Sequence, residues 1–230
     1  FIGINLEVSQ VKTKPTLVAL ALSLLSMTAI SSAQAAVITF DELALGTGAT
    51  AYAPLAADYQ AFNWSNFQAL NTAGGYWDLS GYVPGSVSGD NVGFNGGGTT
   101  ASFSSASAFT LNSFDLTAAW RDNLTVTVRG SGNPGGDYVA TLTPSAIAAT
   151  SYTVNWTGIT SVTFEASGGT HHPDYGTGSG QNFSVSDFSH FAIDNITYNV
   201  SAVPEPESYA MLLAGLGALG FIGKRRRRQS

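Results

Sequence analysis

Asn123-Leu124-Thr125-Val126-Thr127-Val128-Arg129 runs directly into Gly130-Ser131-Gly132-Asn133-Pro134-Gly135-Gly136. In the first half Leu124, Val126 and Val128 share one side while Thr125, Thr127 and Arg129 share the other. That period of two is the mark of a strand with one face buried and one face wet. The second half is turn chemistry, since Gly, Asn and Pro supply the backbone conformations that close a strand.

The same grammar extends outward from this stretch. Tyr138, Ala140 and Leu142 alternate, as do Tyr152, Val154 and Trp156, and then Val162, Phe164 and Ala166. Between Phe109 and Trp120 the pattern holds but changes parity, with Phe109 and Leu111 followed by Phe114, Leu116, Ala118 and Trp120. A one-residue slip at Asn112-Ser113 predicts a β-bulge or a strand that passes from one sheet to another. Strands recur at short intervals with Gly-, Asn- and Ser-rich connections and no helix of convincing length between them. The expected fold class of the body is therefore all-β, an antiparallel β-sandwich of jelly-roll type.

Composition narrows the setting. The chain has 230 residues, 44% hydrophobic, which is enough for a core, yet only 10% are charged against roughly 25% in ordinary soluble proteins. With no cysteine at all, disulfide scaffolds, thiolate metal sites and Cys nucleophiles are excluded. Between Ala36 and Val203 the only cations are Arg121 and Arg129, set against twelve Asp and Glu, a net of −10. Such a surface repels phosphate backbones, so nucleic acid is not an expected partner.

The two ends read as addresses. Lys12 and Lys14 precede the apolar run Leu17 to Ile30, and Ala33-Gln34-Ala35 then supplies the small-x-small pattern that signal peptidase reads. Residues 1–35 are thus an expected signal-peptide helix, cleaved after Ala35. Residues Phe1–Gln10 contain no Met, and the expected translation start is Val11, through a GTG codon.

At the other end Val203-Pro204-Glu205-Pro206 forbids helix and strand alike, because two prolines fall within three residues. Tyr209 to Gly223 follows, 15 residues without a charge, and then Lys224-Arg225-Arg226-Arg227-Arg228. As a helix the apolar run spans about 22 Å at ~1.5 Å per residue, short of the roughly 30 Å hydrocarbon core. The cations hold this end in the cytoplasm, so the body, residues 36–202, faces outward. The order of motif, short membrane segment and basic end over 203–230 resembles the PEP-CTERM sorting signal, a tail also labelled the ice-binding protein C-terminal domain. The resemblance implies an exported protein of a Gram-negative, exopolysaccharide-producing bacterium, processed near the motif by an exosortase, a membrane-embedded transpeptidase. It implies a precursor transiently anchored in the inner membrane and a mature protein at the cell surface or in the extracellular matrix. No regular Thr-x-Thr ladder accompanies the label, so ice binding is not the expected activity.

The first and last body strands, Val37 to Leu43 and Phe191 to Tyr198, each end in or carry a carboxylate. This pattern resembles the galactose-binding-like jelly rolls of carbohydrate-binding modules, in which first and last strands pair. The resemblance implies a structural calcium, for which Asp41, Glu42 and Asp194 are the candidate ligands. The alternative is that they are ordinary strand-end acids.

Other chemistry is sparse. His171-His172-Pro173-Asp174 lies in a Gly-rich loop, where a metal site requires a further ligand such as Asp187 or His190. No G-x-S-x-G, H-E-x-x-H or P-loop occurs, and no pair among the twelve acids is singled out as a glycosidase pair. The aromatic residues Trp64, Tyr76, Trp77, Tyr82 and Tyr175 stand in Asn- and Gly-rich, loop-like surroundings, where exposed rings stack on sugar CH faces. Trp120 and Trp156 instead fit core alternation, and the alternative for Trp64 and Trp77 is that they cap the core edge. The expected function is a non-enzymatic, exported protein associated with exopolysaccharide. Its alternative is a secreted polysaccharide hydrolase or lyase on the same fold.

Overall fold

The computed structural model describes residues 35–176, 188–200 and 213–216. Residues 1–34 of the expected signal peptide 1–35, the motif Val203-Pro204-Glu205-Pro206 and the basic end Lys224 to Arg228 lie outside the described residues. Of the apolar run 209–223, the described part is the exposed helical turn 213–216. Among the described residues no helix is long and apolar enough to cross a membrane.

Ten strands form the body: β1 (Ala35–Ile38), β2 (Tyr52–Pro54), β3 (Asn63–Ser65), β4 (Phe67–Asn71), β5 (Asn91–Asn95), β6 (Ala101–Ala118), β7 (Arg121–Ser131), β8 (Tyr138–Leu142), β9 (Thr150–His171) and β10 (Phe191–Val200). A short α-helix, α1 (Tyr82–Gly85), and two 3₁₀ turns (Tyr59–Ala61 and Gly96–Gly98) interrupt the described strands. All pairings are antiparallel, in the order β2-β4-β5-β10-β6-β9-β7-β8, with β1 added to β10 and β3 to β6.

The long strands β6 and β9 make a sandwich out of this continuous order. Residues 101–104 of β6 lie between β3 and the second half of β9, whereas 109–118 lie between β10 and the first half of β9. The register of β6 slips between Ser104 and Phe109, again before Leu111, and again between Leu111 and Ser113. The last slip is the one that the parity change at Asn112-Ser113 predicts. Because of these slips the strand crosses from one layer to the other and still buries apolar side chains on both sides of each bend. Phe67 on β4 meets Phe164 on β9 at 5.8 Å, and Phe114 meets Phe164 at 5.5 Å, so rings from both layers fill one core. Leu124, Val126 and Val128 are all buried, each burial stabilising by about 1.5–3 kcal/mol.

The first and last strands do pair, Ala36 opposite Tyr198 and Ile38 opposite Ile196. The first strand is shorter than its apolar run suggests, ending at Ile38. Phe40 takes the left-handed region at φ 65, and Leu43 N–H closes a turn onto the Phe40 carbonyl at 3.1 Å. That turn drives the Phe40 ring into the core, against Gly93 of β5. A Cβ on Gly93 would lie 2.7 Å from the ring, so glycine is required there. The two alternating runs at 152–156 and 162–166 are halves of one strand, bent through Gly158 at φ 70 rather than separated by a turn.

Candidate functional site

Alternation on β2, β4 and β5 serves two surfaces. Phe67 and Ala69 of β4 face the core, which turns Gln68 and Leu70 to the opposite side. Tyr52 lies opposite Leu70 in register, and Phe94 opposite Gln68, so these four side chains share that second face. The segment carrying Trp77 and Tyr82 folds over it. Gly81 N–H donates to the Ala119 carbonyl at 2.8 Å, and Ala119 N–H donates to the His190 carbonyl at 3.0 Å. These bonds bring Trp77, Tyr82, Trp120 and His190 to the wall opposite β2-β4-β5. Between them lies a cleft of about 360 Å³, to which Ala49, Gly97 and Phe188 also contribute. Among the described residues no charged side chain lines it.

The rings are fixed against one another. Trp77 meets Tyr82 edge-on at 5.6 Å, Tyr82 meets Trp120 at 5.5 Å and Phe94 at 5.5 Å, and Tyr52 meets Phe94 at 6.4 Å. Tyr82 Oη lies 2.5 Å from His190 Nδ1, and Trp120 Nε1–H donates to the same nitrogen at 3.3 Å. Burial pushes the Tyr82 phenol above its ordinary range, so it stays protonated. Burial likewise lowers the His190 imidazole to about 4, so it is neutral at pH 7.

The five aromatic residues read as exposed loop rings are mostly covered. Trp77 is 8% exposed, Tyr82 2% and Tyr175 8%. Of the five, Trp77 and Tyr82 enter the cleft. Tyr76 is half-buried and packs edge-on against Trp77 at 4.9 Å. Trp64 sits on β3, donates Nε1–H to the Tyr59 carbonyl at 2.8 Å and packs on Phe67 and Phe103 at the core edge. Tyr175 donates its hydroxyl to the Ala146 carbonyl at 2.5 Å and stacks on His172. The cleft residues absent from the sequence reading are Tyr52, Gln68, Leu70, Phe94 and Phe188. In the sequence Trp120 fits a core ring, and His190 stands only beside Asp187 as the further ligand that a metal site at His171-His172 would require; Asp187 lies outside the described residues. Trp120 keeps the core parity yet lines the cleft, because β6 ends two residues before it and its ring turns toward His190.

The three candidate calcium ligands are each held separately. Asp194, wholly buried, accepts from Val87 N–H and Ser88 N–H at 2.8 Å each and from Asn195 N–H at 2.7 Å. Burial raises its carboxyl to about 6 against the lowering effect of those donors. Asp41 Oδ1 accepts from Asn91 N–H at 3.2 Å, beside a small polar depression that Asp90 and Asn71 also line. Glu42 accepts from the Tyr59 hydroxyl at 2.7 Å and from Gln60 Nε2. Its carboxyl lies below the usual range: burial raises it, but the bonds from Tyr59 and Gln60 and a backbone N–H outweigh that. Among the described residues no group of three His, Asp or Glu is placed to hold a metal ion. In the His171-His172 loop, His171 Nε2 lies 3.0 Å from the Tyr175 carbonyl and His172 Nε2 lies 4.0 Å from Asp122.

Fold and cleft together define an antiparallel β-sandwich with an aromatic groove on one layer. Residues 202–228 carry the PEP-CTERM protein-sorting motif, which marks an exported protein, held transiently in the membrane and processed by an exosortase. No curated protein matches the chain. Among the solved structures that align with it are three at a TM-score of 0.34 each. The carbohydrate-binding module TmCBM61, in complex with β-1,4-galactotriose, is 9% identical over 62% of this chain and 88% of its own. The family 11 carbohydrate-binding module of cellulase Lic26A-Cel5E of Clostridium thermocellum is 11% identical over 76% and 99%. The K1 cleaved adhesin domain of Lys-gingipain from Porphyromonas gingivalis W83 is 12% identical over 74% and 99%.

Proposed function

We propose that the mature protein is a non-enzymatic component of the cell surface or extracellular matrix that holds exopolysaccharide in the aromatic cleft. The observation that carries this reading is the cleft itself: about 360 Å³, walled by Tyr52, Trp77, Tyr82, Phe94 and Trp120 and opened to solvent at Tyr52, which is 49% exposed. Aromatic faces of this kind accept the CH faces of sugar rings, while Gln68 and His190 offer polar atoms to hydroxyl groups. Among the described residues the lining contains no carboxylate, whereas glycoside hydrolysis needs two flanking the scissile bond. That supports binding over the hydrolase alternative.

Signal peptidase and the inner membrane are the further partners in this reading, acting on the precursor alone. The test is retention of the purified body, residues 36–202, on glycan arrays and on the producing strain's own exopolysaccharide. Retention that falls at least fivefold in Tyr52→Ala, with the melting temperature unchanged, supports the cleft as the site. Retention unchanged in that variant, or no retention on any glycan at millimolar sensitivity, overturns it.

A further inference from the structure

In the cleft wall, the His190 imidazole has incomplete hydrogen bonding among the described residues. The His190 imidazole is flanked by Phe188, with ring centroids at 5.0 Å and planes 28° apart, and by Phe94 at 5.6 Å. Its Nδ1 receives Trp120 Nε1–H, and an indole nitrogen can only donate. The Tyr82 hydroxyl at 2.5 Å from that same nitrogen is then a donor too. With Nδ1 occupied as an acceptor, the neutral ring carries its proton on Nε2. His190 Nε2 is buried and has no hydrogen-bond partner among the described residues. A buried donor without an acceptor is rare in folded proteins, and an arriving acceptor removes the penalty.

Charge bears on what that acceptor belongs to. Among the described residues no cation lines the cleft, and the body as a whole carries twelve acids against two arginines. A carboxylate or sulfate entering here loses its hydration, meets no opposite charge and approaches through a field of its own sign.

We propose that the cleft selects an uncharged sugar ring and that His190 Nε2–H donates to one of its oxygen atoms. This inference rests on the glycan-binding reading above and adds the class of sugar and the residue that reads it. The aromatic walls take the apolar faces of the ring, and the His190 donor fixes its orientation.

Tryptophan emission reports binding, because Trp77 and Trp120 both line the cleft. The probes are neutral hexasaccharides of glucose, galactose and mannose, with oligogalacturonate of equal length as the charged counterpart. A neutral probe is expected to saturate the emission change, with oligogalacturonate at least tenfold weaker at 150 mM salt. In 1H–15N spectra of the imidazole, the Nε2–H resonance is expected to move on saturation. His190→Phe keeps a ring between Phe188 and Phe94 and removes the donor, so it should weaken the neutral probe about tenfold. If that variant does not fold, the wild-type imidazole spectrum decides. Oligogalacturonate binding as tightly as the neutral probes, or an Nε2–H resonance unmoved at saturation, overturns the inference and leaves the glycan reading intact. Failure of every probe, neutral and charged, overturns both.

Discussion

Tyr82 Oη and His190 Nδ1 lie 2.5 Å apart across 108 positions of sequence, joining the helix over the cleft to the start of β10. Tyr82→Phe keeps the ring and removes this bond, leaving Nδ1 with Trp120 Nε1 as its donor. A buried neutral hydrogen bond contributes about 1 kcal/mol net, so the expected fall in melting temperature is roughly 2–4 °C for a body of this size. Differential scanning calorimetry checks it. No change would mean that the Tyr82 hydroxyl does not hold the cleft together.

Asp194→Asn is expected to be more severe. One carboxylate oxygen accepts Val87 N–H and Ser88 N–H, and the other accepts Asn195 N–H. An amide has a single oxygen, so its NH2 must face backbone donors on one side. The expected cost is about 2 kcal/mol, read from urea midpoints at constant m-value. Asp194→Ala removes both acceptors and should cost more than the amide.

These two sites also give opposite pH dependences. His190 falls to about 4 in the fold from an ordinary value near 6.5, so the unfolded chain binds more protons between those values. Its contribution is complete above pH 6.5 and is lost as pH drops toward 4, up to about 3 kcal/mol. Asp194 rises to about 6 from 3.8, so the folded state binds more protons there. Its contribution is complete below about pH 4 and is lost as pH rises through 6, again by about 3 kcal/mol. Relative to wild type, His190→Phe should therefore lose stability as pH rises from 4.5 to 6.5, and Asp194→Asn should gain it. Urea titrations at the two pH values measure both slopes; equal slopes in all three proteins would contradict the assignment.

Much of this architecture is readable locally, and the reason is the period of two. Leu124, Val126 and Val128 bury one face of β7, so their spacing alone identifies the strand and its orientation. The parity change at Asn112-Ser113 is readable for the same reason, since a bulge must shift the buried set by one. The end of β1 is not readable, because a left-handed Phe40 is paid for by distant packing on Gly93. Nor is the continuity of β9 through Gly158, where local chemistry suggests a turn. The cleft is half readable. Trp77 and Tyr82 stand out as aromatic residues in polar surroundings, but Tyr52, Phe94, Trp120 and His190 join them only through strand pairing and the bonds at Gly81 and Ala119.

The tail carries the last prediction. Two prolines disfavour helix and strand in the sorting motif, which suits Pro204-Glu205-Pro206 to the extended form that a protease cleft takes. The following uncharged run spans about 22 Å as a helix at ~1.5 Å per residue, and its glycines Gly215, Gly217, Gly220 and Gly223 weaken it further as an anchor. Lys224 to Arg228 are expected to stop the tail from following the body outward, since each cation costs roughly 2.5–3.5 kcal/mol at the membrane centre. The expected outcome is a precursor retained in the inner membrane and a mature protein cleaved near Pro204-Glu205-Pro206, lacking the basic end. Mass spectrometry of the surface-associated protein checks this directly, and a mature form that still carries Lys224 to Arg228 would establish a permanent anchor instead. Replacing Arg225 to Arg228 with Ser should reduce membrane retention of the precursor in fractionated cells, and unchanged retention would remove the stop-transfer role from these residues.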